Sequence, residues 1–115
     1  MTFTCIFCEI IAGRQTAQKI FQDEYATAFH DLFPRTPVHI LIVPNQHIDS
    51  VNQLTDAEKI LTGHLILVAQ KIAAEKGLTN SGYRLVINTG DNAGQSVHHL
   101  HLHLLGGKHM PMMGD

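Results

Sequence analysis

Three histidines alternate with three leucines over His99-Leu100-His101-Leu102-His103-Leu104, and this alternation sets the strongest limit on how the chain can fold. Extended backbone sends successive side chains to opposite faces, so the three imidazoles share one face and Leu100, Leu102 and Leu104 share the other. The leucine face can enter a core. A strand buried on both sides ordinarily carries apolar residues on both, so a row of titratable rings calls for a chemical explanation. Imidazole exchanges protons near neutral pH, and its neutral form is a competent nucleophile or metal ligand. The pattern predicts a chemical site built on a strand.

The 115-residue chain suits one domain, 1–115, and its hydrophobic fraction of 44% with 16% charged residues describes a globular protein with a real core. The net charge of −2 and the lack of a Lys/Arg block make nucleic-acid polymers poor partners. A small anion remains a candidate ligand, since backbone N–H groups bind one without global positive charge. No apolar run approaches the roughly 18 residues of a membrane span, and Met1-Thr2-Phe3-Thr4 does not begin a signal peptide, so no membrane partner and a cytoplasmic location are expected. Both cysteines, Cys5 and Cys8, lie near the N-terminus. Their spacing fits metal chelation or redox chemistry, or two small apolar residues on successive turns of a short helix.

Ile6 to Ile11 places its apolar residues on one helical stripe before Gly13, which predicts a short opening helix. Lys19 to Phe21 and Tyr25 to His30 read as strands around the turn Gln22-Asp23-Glu24, and Val38 to Val43, apolar except for His39, as a central strand closed by Pro44. Thr55-Asp56-Ala57-Glu58 is a capping box opening a long helix, whose face carries Leu61, Leu65, Val68 and Ile72. Lys71 and Lys76 suit its C-terminal dipole, Gly77 its left-handed cap, and Leu78 returns to the core. Tyr83 to Asn88 is the next predicted strand, and Thr89 to Gly94 a Gly-rich loop feeding the histidines. Strands in succession with one long helix argue for an α+β fold with a largely antiparallel sheet. Gly94-Gln95-Ser96 lies just ahead of His99, so its amides and the Ser96 hydroxyl are candidates to cradle a phosphate.

The segment from Gly94 to Gly107 closely resembles the signature of the histidine triad (HIT) superfamily, and more narrowly its Hint branch of nucleotide-binding proteins. The likeness extends over nearly the whole chain, through Ile6-Phe7, Ala28-Phe29-His30-Asp31, Pro37 to Pro44, Gly82-Tyr83-Arg84 and Asn88. It implies a five-stranded antiparallel sheet with two helices, paired into a homodimer whose sheets join. It also implies hydrolysis of nucleoside 5′-phosphoramidates, in which a purine nucleoside monophosphate carries an amine on phosphorus. By match to the motif, His101 is the nucleophile that forms a nucleotidyl-histidine intermediate. His103 would bind the phosphate, His99 would fix the geometry of His101, and Ser96 would hydrogen-bond the leaving group or phosphate. Gly94, Gln95 and Asn88 would supply further phosphate contacts. Asp31 would accept hydrogen bonds from the ribose hydroxyls, and Ile6, Phe7, Ile10, Phe29, His30 and Leu32 would form the slot for the base.

Three features depart from the common Hint pattern. Position 98 is His where Tyr is usual, and the tail Lys108 to Asp115 lacks a tryptophan found in many eukaryotic members. Cys5-x-x-Cys8 instead resembles a zinc-binding bacterial subset, in which the set is completed by residues matching His47 and His99. Two thiolates and two imidazoles make a closed tetrahedral shell, so the implied zinc is structural, and no organic cofactor is implied. A dinucleoside polyphosphate hydrolase, a metal-buffering protein and a non-enzymatic regulatory module that binds zinc or nucleotide are the alternatives.

Overall fold

The fold is described from a computed structural model over residues 5–112; Met1-Thr2-Phe3-Thr4 and the last three residues of the tail lie outside the described residues. The helix α1 (Ile6–Ile11) is followed by strands β1 (Lys19–Gln22), β2 (Ala26–His30) and β3 (Val38–Pro44), then by α2 (Lys59–Glu75), β4 (Tyr83–Val86) and β5 (Leu102–Gly106). The five strands form one sheet in the order β1-β2-β3-β5-β4, every pair antiparallel. The expected α+β class and five-stranded antiparallel sheet are therefore the observed ones.

Strand parity divides the core in two. Ile40 and Ile42 of the central strand β3 join Ala26, Ala28, Leu102 and Leu104 beneath α2, where Leu65, Val68, Ala69, Ile72 and Ala73 meet them. Leu41 and Val43 face the other way and pack with Phe29 against Phe7 and Ile10 of α1. The predicted helical stripe is thus the buried one, although Leu61 lies at its margin. The capping box is formed with Thr55 and Glu58, but it opens a 3-10 turn (Asp56–Glu58), and α2 starts at Lys59. At the other end Gly77 takes φ +75°, and its N–H and that of Leu78 donate to Ala74 and Ala73. This is the paired C-terminal closure that a left-handed residue permits.

Several strand limits differ from the sequence expectation. β1 runs on to Gln22, β2 starts after Tyr25, and β4 stops at Val86, which leaves Ile87 and Asn88 outside the sheet. The largest difference concerns the histidines. His99 and His101 precede β5, and only His103 lies in the ladder, opposite Leu41 of β3 and Val86 of β4. The pairing of Ile42 with Leu102 would next bring Pro44 opposite Leu100, and a proline has no N–H to continue the ladder. Leu100 N–H instead donates to the Ile48 carbonyl at 2.7 Å. The extended alternation nevertheless persists, since Leu100, Leu102 and Leu104 all enter the α2 core.

Two glycines of α2 and its cap provide a test of opposite sign. A Cβ at Gly77 meets nothing within 4 Å, so Gly77→Ala should cost about 1 kcal/mol through left-handed backbone strain alone. Gly63 lies inside α2 and is equally open, so Gly63→Ala should gain a comparable amount, about 1 kcal/mol, through helix propensity. Urea midpoints moving in opposite directions at constant slope would establish both.

Candidate active site

The histidine face of the sheet opens onto a cavity of about 560 Å³, floored by His101, His103 and His39 and walled by α1, the loop after β2 and the Gly94–Val97 segment. His101 and His39 each face a backbone partner whose hydrogen-bonding role is obligatory, and His103 is set by His39, so the tautomers follow. His101 Nδ1 lies 2.7 Å from the His99 carbonyl, which can only accept. The ring therefore carries its proton on Nδ1, and Nε2 keeps a bare lone pair. Phe7 packs edge-on against it, with centroids 5.1 Å apart.

A second chain of bonds prepares His103. The Arg35 backbone N–H donates to His39 Nδ1 at 3.0 Å, so neutral His39 holds its proton on Nε2. That Nε2–H lies 3.0 Å from His103 Nδ1 and 3.4 Å from Asp31 Oδ2. His103 accepts on Nδ1, and its own proton sits on Nε2. Neighbouring rings on the cavity floor thus present a lone pair on His101 and an N–H donor on His103, with ring centroids 5.0 Å apart.

Electrostatics keep the rings neutral. Burial holds His101 and His39 below the usual imidazole range. His103 is pushed down to about 4, first by burial and then by the neighbouring His101 and His39 rings. A neutral His101 is the form with a usable lone pair.

The loop before the triad contributes in a different way from that expected of it. Gly94 adopts φ +79° at the end of a 3-10 turn, which turns the chain toward the cavity. The Gly94 and Gln95 amides are spent on Asp91 and Gly90. The Gln95 side chain is buried away from the cavity, accepting from Gly90 N–H and donating to the carbonyls of Asp49 and Val97. Gln95 braces the loop, which corrects its expected place among phosphate contacts. Ser96 and Asn88 line the cavity, and among the described residues their side chains bond no protein group.

The other expected site residues divide as follows. Ile6, Phe7, Ile10, Phe29, His30, Asp31 and Leu32 all line the cavity. Asp31 Oδ1 accepts the Phe33 N–H at 2.8 Å, which locks the loop, while Oδ2 faces the cavity floor. His99 does not line it; its ring is fully buried behind the cavity. The sequence reading missed His39 and Arg35. The strand parity of His39 with Leu41 and Val43 was the available signal, because it places a fourth imidazole on the triad's face.

On the far side of His99, Cys5, Cys8, His47 and His99 gather with their donor atoms within 4.8 Å of one another. His99 Nε2–H donates to the Pro44 carbonyl at 2.9 Å, which frees Nδ1 toward Cys5 Sγ at 3.3 Å and Cys8 Sγ at 3.6 Å. His47 Nε2–H donates to Asp49 at 2.8 Å, which frees its Nδ1 toward Cys8 Sγ at 3.3 Å. Both imidazoles thus aim lone pairs at the thiols, and each is held from behind by an oxygen, as metal-binding histidines are. Burial and the adjacent Cys5 push the Cys8 thiol up to about 11, a preference that coordination to a cation reverses. The four residues fit a tetrahedral divalent metal of the zinc type.

An antiparallel sheet that carries oriented histidines to the floor of a cavity defines a histidine-based class of protein. The HIT domain model matches residues 12–110, and the chain belongs to this HIT family. It is 43% identical over 109 residues to the purine nucleoside phosphoramidase of Escherichia coli, covering 94% of this chain and 92% of that one. The crystal structure of a HIT family hydrolase from Legionella pneumophila superposes with a TM-score of 0.95 at 40% identity, over 97% of this chain and all of the other. A Zn-bound histidine triad family protein from Mycobacterium smegmatis superposes at 0.80 with 31% identity, over 91% of this chain and 76% of the other.

The buried rings give a signed pH dependence of stability. His103 is protonated less readily in the folded chain than in an unfolded one, so the unfolded state gains protons first as pH falls. Its contribution is present above the unfolded value near 6.5 and is lost as pH falls toward about 4. Melting temperature should decline over that window, and less steeply in His103→Asn. Equal slopes for the two proteins would contradict the assignment.

Proposed function

We propose that this protein is a purine-nucleotide-binding hydrolase of the Hint type, which cleaves the P–N bond of nucleoside 5′-phosphoramidates. The observation that carries this reading is the 2.7 Å bond from His101 Nδ1 to the His99 carbonyl, which leaves Nε2 bare on the cavity floor. The phosphoramidase identity of the E. coli relative supports the substrate class.

In this reading the base enters the apolar slot formed by Ile6, Phe7, Ile10, Phe29, His30 and Leu32, and the Asp31 carboxylate accepts the ribose hydroxyls. His101 Nε2 attacks phosphorus, the P–Nε2 bond forms, and the P–N bond to the amine breaks. The amine departs with the bonding pair and a proton drawn from solvent past the Ser96 hydroxyl. The ring is then a cation with Nδ1–H on the His99 carbonyl, whose dipole stabilises that charge. His103 Nε2–H, the Ser96 and Val97 amides and Asn88 stabilise the phosphoryl oxygens, while Gly94 lets the loop approach them. Water then adds to phosphorus, the P–Nε2 bond breaks, and the proton passes to solvent, which leaves His101 neutral. Two displacements replace one difficult hydrolysis.

Zinc on Cys5, Cys8, His47 and His99 is part of the proposal. When bound, it supplies a structural crosslink between α1 and the sheet. The closed donor set leaves no position for substrate. No organic cofactor is required. We further propose one HIT domain over 1–115, a homodimer with joined sheets, and a cytoplasmic location without nucleic-acid polymer or membrane partners. No helix among the described residues is long and apolar enough to cross a membrane.

His101→Ala should fold normally, still bind nucleoside monophosphate, and lose nearly all amine release from an adenosine phosphoramidate. More than about one per cent residual activity would indicate direct attack by water, since loss of an essential nucleophile costs several orders of magnitude. A dinucleoside polyphosphate, followed by release of nucleoside monophosphate, should be a poor substrate.

Elemental analysis of untagged protein from zinc-supplemented medium should find one zinc per chain. Chelation should lower the melting temperature, with hydrogen exchange rising first in α1. Cys8→Ser with full zinc content and an unchanged melting temperature would reduce the cysteines to packing residues.

A further inference from the structure

Arg35 differs in kind from the rest of the cavity wall. Among the described residues that line the cavity it is the one Lys or Arg, and its guanidinium pairs with no carboxylate among those residues. The nearby Asp31 is engaged elsewhere, accepting from the Phe33 N–H at 2.8 Å and facing His39 at 3.4 Å. The Arg35 main chain is pinned as well. Its N–H donates to His39 Nδ1 at 3.0 Å, the Thr36 hydroxyl donates to the Val38 carbonyl at 2.6 Å, and Pro34 and Pro37 flank the pair. Proline fixes φ and removes loop freedom, so the backbone that carries this exposed cation is held at the rim of the cavity, and among the described residues no carboxylate neutralises it.

The Arg35 main chain lies away from the ring that attacks phosphorus. From His101 the floor runs 5.0 Å to the His103 ring and a further 5.2 Å to His39, and the Arg35 N–H binds the far nitrogen of that last ring. A side chain that starts from there is placed to meet a neighbouring part of the ligand. Resting on the phosphoramidase reading above, we propose that Arg35 forms a subsite for a second anionic group of the nucleotide substrate, beside the phosphorus that His101 attacks. The guanidinium fork matches the paired oxygens of a phosphate or carboxylate. Two sources carry such a group. One is a phosphate on the 2′ or 3′ hydroxyl of the ribose, next to Asp31. The other is the carboxylate of an α-amino acid that serves as the amine on phosphorus.

The test compares wild type with Arg35→Gln, which removes the charge, and Arg35→Lys, which keeps it without the fork. Calorimetry would give the affinity for adenosine 5′-monophosphate and for adenosine 2′,5′- and 3′,5′-bisphosphate. Rates would be compared for adenosine phosphoramidates of a simple alkylamine and of an α-amino acid. Arg35→Gln should weaken at least one of the doubly anionic probes by about tenfold or more, the scale of one charge-assisted hydrogen bond. Arg35→Lys should restore part of that loss. The monophosphate and the alkylamine substrate should change by less than about threefold, because the field of a rim charge is screened. A selective loss for the bisphosphates assigns the ribose source, and one for the amino-acid substrate assigns the carboxylate. A parallel loss on every ligand, or no loss on any doubly anionic probe, overturns the subsite. Wild type that neither binds the monophosphate nor cleaves the alkylamine substrate would overturn the phosphoramidase reading itself, and the subsite with it.

Discussion

The bond between the His99 carbonyl and His101 Nδ1 is short, at 2.7 Å, and much of the site depends on it. A carbonyl cannot donate, so it determines which nitrogen of His101 holds the proton and which holds the lone pair. The same residue is anchored through its ring, with Nε2 on the Pro44 carbonyl at 2.9 Å and Nδ1 against the two thiols. One histidine thereby connects the end of the central strand, the cysteine turn and the orientation of its neighbour. Its ring and its backbone serve separate purposes, and a metal on the ring leaves the carbonyl free to hold His101.

The cavity floor follows a related logic one layer further out. A backbone N–H of Arg35 sets the tautomer of His39, and His39 sets that of His103. A main-chain donor is an obligatory group that cannot change its role, so the order of protons is imposed from the loop inward. Burial then keeps the rings neutral, because charging an imidazole there removes a cation from water without an adequate partner. Neutral rings in fixed tautomers form a preorganised pair, with a lone pair beside a donor.

These rings can be held so firmly because the sheet is packed on both faces. β3 contributes Ile40 and Ile42 to the α2 side and His39, Leu41 and Val43 to the α1 side. Pro44 ends its pairing with the triad segment, and the carbonyl left without a ladder partner accepts from His99. Beyond the break in the ladder the His99 ring meets the Pro44 carbonyl and the two thiols and the His101 ring meets the His99 carbonyl, while His103 stays in register as part of β5.

The leucine–histidine alternation by itself determined which side chains enter the α2 core and which face the site, because strand parity is a local property of extended backbone. Helix capping was equally legible, since Thr55, Glu58 and Gly77 act through bonds within a few residues of one another. Resemblance to the HIT pattern named residues that the fold does bring together, along the cavity and in the Cys5, Cys8, His47 and His99 cluster that could hold a metal. What the sequence could not express were relations between distant segments. The place of His39 beneath His103, the diversion of Gln95 into bracing its loop and the position of Arg35 at the cavity rim all depend on segments remote in the chain. The proton positions on the triad were decided in the same way: a tautomer is set by whichever fixed donor or acceptor lies across from the ring, and only tertiary structure supplies that neighbour.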